Sequence, residues 1–245
     1  PDLIKSFGSI PGIKVDTGAK ILAGSPEEKI TEGLDGLRER LNEYYNLGAR
    51  FTKWRAVYNI SEKHPSDLAI KSNSHALARY AALVQEAKMV PIVEPEVLMD
   101  GVHDIKKCYE ITSRVLKDCY KELELHNVNL KGTILKPNMI LPGNKSKDQS
   151  NTHEIAKMTL KCLKESVPNE VPGIAFLSGG QTEIEATQNL NEINKINDTN
   201  FLMSFSYGRA LQKSALKNWG KDIKDIFNTQ KIFNHRSKMN SLSTS

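Results

Sequence analysis

Lysines, arginines and glutamates recur inside the short apolar runs of this 245-residue chain, where a core element would ordinarily exclude them. The runs are 12–16 (GIKVD), 51–57 (FTKWRAV), 90–97 (VPIVEPEV), 132–140 (GTILKPNMI), 173–180 (GIAFLSGG) and 201–210 (FLMSFSYGRA). At the two-residue period of a strand, Lys53 and Arg55 share one face, with Thr52, Trp54 and Ala56 on the other. Ile92, Glu94 and Glu96 lie opposite Val93, Pro95 and Val97. Ile134, Lys136 and Asn138 lie opposite Leu135 and Pro137, and Phe205, Tyr207 and Arg209 share a face of the last run. The charges sit toward the C-terminal end of each run. A local ion pair at a strand end would explain any one of them; repetition along the chain points to a shared site.

Lys136 is the cation best placed for covalent chemistry. Its neighbours Ile134, Leu135, Pro137 and Met139 are apolar, and desolvation beside a second cation such as Lys53 is the setting that exposes a lysine lone pair to a carbonyl. Glu94, within reach by strand order, would then move the protons of carbinolamine dehydration. A salt bridge to a carboxylate of the neighbouring strand, with no chemistry, is the plainer alternative. The interior candidates are five cations (Lys14, Lys53, Arg55, Lys136, Arg209) and three acids (Asp16, Glu94, Glu96), a net of +2. Such a mouth suits a substrate bearing phosphates. The Ser178-Gly179-Gly180 turn and the Tyr207-Gly208-Arg209 end fall on the last two runs, where backbone N–H groups commonly cradle a phosphate.

These side chains need elements to hold them. Between the runs lie helical patterns: Leu34, Leu37, Leu41 and Tyr44/Tyr45; Ala76/Leu77, Tyr80 and Leu83/Val84; Ile105, Cys108, Ile111, Val115, Cys119 and Leu123; Ile155, Met158 and Cys162/Leu163. Strand then helix, repeated without a structureless linker, predicts parallel βα units. Equivalent positions recur about every 40 residues (Lys14, Lys53, Glu94, Lys136, Ser178), the spacing of an elaborated (β/α)₈ TIM barrel. A doubly wound sheet is the alternative, but the glycine fingerprint that usually opens one is missing. Six units fill residues 1–245 as one α/β domain, so six of the eight βα units are expected here, and the start at Pro1 instead of Met suggests sequence upstream.

Composition narrows the function. At 39% hydrophobic and 26% charged, with a net charge of +5, the chain reads as a mildly basic globular enzyme. Its cations are scattered among acids and aromatics are few, so no nucleic-acid surface is expected. No membrane span and no secretory signal is expected, because no apolar run is long enough and no basic stretch precedes an apolar one. Cys108, Cys119 and Cys162 form no CxxC pair and read as buried thiols in a reducing cytoplasm. The six histidines contain no HExxH and no close pair, so no metal site is expected. Residues 177–181 (LSGGQ) match the signature pentapeptide of ATP-binding-cassette ATPases, but there is no GxxxxGK[ST] loop to accompany it.

Taken together, PGIKVD (11–16), GLDGL (33–37), GARFTKWRAV (48–57), LARYA (77–81), VPIVEPEVL (90–98), LKPNMI (135–140), FLSGGQTEIEA (176–186) and SFSYGRALQ (204–212) resemble the class I, Schiff-base-forming fructose-1,6-bisphosphate aldolases of eukaryotic type. The resemblance runs from about Ile10 to Leu242. It implies a (β/α)₈ barrel, usually a cytoplasmic homotetramer of glycolysis and gluconeogenesis. Such an enzyme cleaves fructose 1,6-bisphosphate to dihydroxyacetone phosphate and glyceraldehyde 3-phosphate without cofactor or metal. It implies Lys136 as the Schiff-base lysine, Glu94 as acid/base, and Glu96 and Lys53 as completing the catalytic set. Lys14 and Arg55 would contact the 6-phosphate, and Ser178, Gly179, Gly208 and Arg209 the 1-phosphate.

The chain departs from that family in four places. The first two strands, with a first-strand aspartate that helps catalysis, have no counterpart, and neither does a tail ending in tyrosine. Thr17 replaces a lysine and Thr52 a small residue, neither of which alters the site assignments. The resemblance also implies a second class of function, binding of actin or acidic peptide tails through the basic barrel mouth.

Overall fold

The computed structural model describes residues 1–147 and 150–245. In chain order it contains α1 (Asp2–Ser6), β1 (Gly12–Lys14), β2 (Gly18–Leu22), β3 (Ser25–Glu32), α2 (Leu37–Asn46), β4 (Phe51–Tyr58), α3 (Asp67–Glu86) and β5 (Val90–Val97). There follow α4 (Ile105–Leu125), β6 (Ile134–Leu135), α5 (Thr152–Ser166), β7 (Gly173–Phe176), α6 (Glu183–Lys195), β8 (Leu202–Phe205), α7 (Arg209–Lys221) and α8 (Ile226–Leu242). Six strands form one sheet in the order β1-β4-β5-β6-β7-β8, all neighbours parallel.

That order never reverses. A doubly wound sheet must reverse at its switch point, so the open-sheet alternative falls away and the winding is that of a (β/α)₈ barrel. Six strands form among the described residues, leaving β1 and β8 as edges.

Alternation along β4 explains how the strands can carry charge. Thr52, Trp54 and Ala56 are buried on the outer face, where Trp54 packs 5.4 Å from the Tyr80 ring of α3 and Thr52 Oγ1 lies 2.8 Å from the Tyr80 hydroxyl. Such an aromatic anchor is worth several kcal/mol, since Trp→Ala in a core typically costs about 3–5 kcal/mol. The helices start where side chains replace missing backbone partners. Ser66 accepts from Ala69 N at α3, Asp104 from Lys107 N at α4, and Thr182 with Glu185 makes a capping box at α6. The α4 stripe expected from periodicity is buried throughout, including Cys108 and Cys119. All three thiols are free and buried.

The structure differs from the sequence reading at four points. An antiparallel hairpin, β2–β3, stands between β1 and α2 and was not expected. The 132–140 run yields a ladder of only two residues, continued by Lys136 N donating to Val93 O (2.8 Å) and Leu177 N to Pro137 O (3.1 Å). Pro137 has no N–H to carry the alternation further, and Asn138 turns outward, bonding Val97 N (3.0 Å) and Thr112 Oγ1 of α4 (3.1 Å). It therefore does not share the face of Lys136. The last strand ends at Phe205; Tyr207 donates outward to Ala186 O of α6, and Arg209 is the first residue of α7. Among the described residues, no helix is long and apolar enough to cross a membrane.

Candidate active site

Parallel register brings the charged residues of adjacent strands to one level. Lys14 pairs with Lys53 across β1 and β4, and Arg55 pairs with Glu94 across β4 and β5. Lys136 follows β6 directly. Glu94 is buried (3% exposed) and each of its oxygens faces a different ammonium: Oε2 lies 3.0 Å from Lys53 Nζ and Oε1 lies 3.1 Å from Lys136 Nζ. The Lys136 side chain is itself only 12% exposed. Glu94 Oε2 has no partner within hydrogen-bonding angles among the described residues, despite the short ion-pair distance.

Asp16 organises the neighbouring edge. Its Oδ1 lies 2.6 Å from Lys14 Nζ and accepts from Gly18 N at 3.1 Å. Its Oδ2 accepts from Arg55 N at 3.3 Å and sits 4.0 Å from Lys53 Nζ. Sequence reasoning counted Asp16 in the charge balance without giving it a role; its position two residues after Lys14, at the end of a strand, was the available signal. Glu96, also buried, holds Arg55 Nε at 2.5 Å. Half-burial works against the charge of Arg55, but the Glu96 carboxylate prevails and raises the guanidinium above its ordinary value.

The four predicted catalytic residues thus gather on β4 and β5 and just beyond β6, with Lys14 and Arg55 beside them. Lys14 is half-exposed at the rim and also donates to Asp16 O (2.8 Å). The other four lie on the far strands. Ser178 is buried after β7, and Gly179 (φ 55°) and Gly180 (φ 91°) follow in left-handed conformations. The amides of Gly179 and Gly180 make no hydrogen bond among the described residues, the state expected of donors built for an anion. A side chain at Gly180 would also approach Met99 Sδ to 3.0 Å. Gly208 caps α7 and Arg209 opens it, exposed and without a carboxylate partner among the described residues. LSGGQ forms this turn and begins no helix until Glu183, so the ATPase likeness ends at the letters. A separate cavity of about 650 Å³ lies between α7 and α8, lined by Leu216, Trp219 and Phe233. It contains no titratable group and none of the strand-end residues.

Chemically, a nearly buried amine against a buried carboxylate can attack a carbonyl, pass its protons locally and lose water. The second ammonium lies against the other carboxylate oxygen, and unfilled N–H groups and cations on either side suit anionic ends of a substrate.

Comparison with known proteins agrees with that chemistry. The sequence profile of the fructose-bisphosphate aldolase class-I family matches residues 1–245. A probable fructose-bisphosphate aldolase class 1 from Xanthomonas axonopodis pv. citri is 53% identical over 242 residues, 98% of this chain and 72% of that protein. The cytosolic fructose-bisphosphate aldolase 4 of Arabidopsis thaliana is 52% identical over 244 residues, 99% of this chain and 62% of that one. The fructose-bisphosphate aldolase of Plasmodium falciparum, solved as a ternary co-crystal with TRAP and a small-molecule inhibitor, superposes with a TM-score of 0.97 at 43% identity, over 99% of this chain and 71% of that one. Whole-chain agreement in sequence and fold makes this chain a member of the class I fructose-bisphosphate aldolases.

Proposed function

We propose that Lys136 is the Schiff-base lysine of a fructose 1,6-bisphosphate cleavage carried out at this cluster. The carrying observation is Glu94 held between Lys53 and Lys136 by one oxygen each. The Lys136 amine adds to the C2 carbonyl, and its proton passes to Glu94. Glu94 returns a proton to the carbinolamine hydroxyl, which leaves as water, and an iminium remains. Glu94, a carboxylate again, takes the C4 hydroxyl proton as C3–C4 breaks, and the electron pair of that bond flows to the iminium to give an enamine as glyceraldehyde 3-phosphate departs. Return of the proton to C3 and hydrolysis by water release dihydroxyacetone phosphate and regenerate the lysine. Lys53 balances the charge on Glu94, and Glu96 sets the orientation of Arg55.

Lys14 and Arg55 on β1 and β4 receive the 6-phosphate. Ser178, Gly179, Gly208 and Arg209 receive the 1-phosphate, which the free turn amides support. The whole chain is one barrel domain whose six strands are the third to the eighth. The names of the cytosolic plant relatives support a cytoplasmic location, and a homotetramer follows the family pattern. The cation excess of the mouth, together with the co-crystal of the Plasmodium relative with TRAP, supports a second role in binding a partner such as actin or an acidic peptide tail at this face. Borohydride reduction with dihydroxyacetone phosphate, followed by peptide mapping, should add the reduced adduct at Lys136. A protein that turns over substrate while Lys136 stays unlabelled would overturn the assignment.

A further inference from the structure

On the outer side of the barrel, α3 and α4 run parallel at a constant offset. Asp67 pairs with Arg114, and His75 lies against Glu122, each pair 47 residues apart in sequence. One turn after Glu122, His126 ends α4 and reaches the same spot. The His75 and His126 rings are 4.9 Å apart between centroids, at 68°, and His75 Nδ1 is 3.2 Å from Glu122 Oε2. One ligand atom from each of His75, Glu122 and His126 can be chosen so that all three lie within 4.8 Å of one another.

From this cluster we infer a surface site for a borderline divalent transition ion such as zinc, held by His75, Glu122 and His126. The donor set is two imidazoles and one carboxylate, which suits zinc or cobalt and not calcium or magnesium. Tautomers support it. His126 Nδ1 sits 2.8 Å from the Glu122 main-chain oxygen, which can only accept, so Nδ1 carries the proton and Nε2 keeps its lone pair. A ring anchored by N–H to a carbonyl while its other nitrogen binds the ion is the usual outer arrangement of a metal-bound histidine. His126 Nδ1 lies 3.7 Å from Glu122 Oε2, so binding through Nε2 requires the ring to turn toward the carboxylate. Tetrahedral zinc at about 2.1 Å from each donor places donors about 3.4 Å apart. His75 and Glu122 already stand near that separation, and the half-exposed His75 side chain is free to close the rest. Three protein donors leave the fourth position to water. Because the site joins two outer helices and touches no strand-end residue, it acts on the structure and not on the reaction.

Sequence alone hides the cluster, because 51 positions separate the two histidines and only helix packing unites them. Zinc chloride titrated calorimetrically into the purified protein should show one site of micromolar or tighter affinity. Cobalt(II) should give the visible absorption bands of a four-coordinate ion. His75→Ala, at an exposed position, should weaken zinc binding at least tenfold, and His126→Gln should do so while retaining the fold by circular dichroism. Neither change should alter aldol cleavage measured without zinc. Absent zinc binding, or affinity unchanged in both variants, would overturn the site.

Discussion

Glu94→Gln tests whether one carboxylate holds the cluster together. The amide keeps the shape and one oxygen but removes the charge shared by two ammonium groups at 3.0 and 3.1 Å. At an effective dielectric of about 20, a unit pair near 3 Å attracts by roughly 5 kcal/mol, and most of that is offset by the desolvation of a buried carboxylate. Breaking one member of a buried pair costs about 3–5 kcal/mol, because the remaining charge is stranded. Lys136 is stranded and Lys53 keeps only Asp16 at 4.0 Å, which places Glu94→Gln at about 3 kcal/mol or more of lost stability. Lys136→Met removes one cation and leaves Lys53 paired with Glu94, so it should cost about 1–2 kcal/mol and rank below Glu94→Gln in urea unfolding. Kinetically, loss of a positioned acid/base lowers kcat by about 10²–10⁴-fold, which is about 3–5 kcal/mol of barrier. The KM should move little, since the phosphate contacts lie elsewhere. Coupled cleavage kinetics give kcat, and the rate of borohydride trapping shows whether iminium formation is the step that slows. A Glu94→Gln protein within threefold of the parent kcat, or one less destabilised than Lys136→Met, would refute the reasoning.

Lys14→Ala should raise KM about tenfold for fructose 1,6-bisphosphate and leave it unchanged for fructose 1-phosphate, which lacks the 6-phosphate; equal effects on both sugars would remove Lys14 from that contact. Asp16 then loses its 2.6 Å partner but keeps Gly18 N, Arg55 N and Lys53, so the stability change should stay at about 1 kcal/mol. Burial pushes the thiols of Cys108 and Cys162 up to about 11 and about 12, and that of Cys119 higher still. All three should therefore be silent to Ellman's reagent at pH 8 until denaturant is added. Because these folded values lie above the unfolded thiol value near 9, their contribution to stability is full below pH 9 and is lost as pH rises from 9 toward 12. Cys162→Ala should flatten that alkaline loss, and an unchanged slope in urea midpoints between pH 8 and 10.5 would contradict it.

Much of the site could be read before any coordinates, because a strand that buries one face on helices and opens the other into a barrel writes its charges at every second residue. Lys53, Arg55, Glu94 and Glu96 obey that rule, and so does the outward set of Thr52 and Trp54 on Tyr80. Alternation fails where the backbone stops following a ladder. At Pro137 the missing N–H ends the pairing and Asn138 swings out to Thr112. At Phe205 the strand gives way to a glycine-capped helix, which turns Arg209 from a strand residue into a helix-opening one.

The hairpin escaped for a different reason. Residues 18–32 carry polar side chains on both faces and few apolar positions, so no periodicity marks them, yet they are what fixes Asp16. Edge strand β1 has only three ladder residues to hold it. Side chains supply the remainder: Arg40 donates to Val15 O (2.9 Å) and Gly33 O (2.5 Å), Thr31 Oγ1 to Arg55 O (2.7 Å), and Thr17 N to Glu32 O (2.9 Å). The hairpin therefore ties the chain just beyond β1 to β4 and α2, and in doing so sets the carboxylate that Lys14, Lys53 and the Arg55 amide share. Sequence patterns report burial, and these ties are polar contacts between segments far apart in the chain. Charged residues on well-packed strands are legible for that reason, while the residue that orders them at a short edge strand emerges only when the polar contacts are seen.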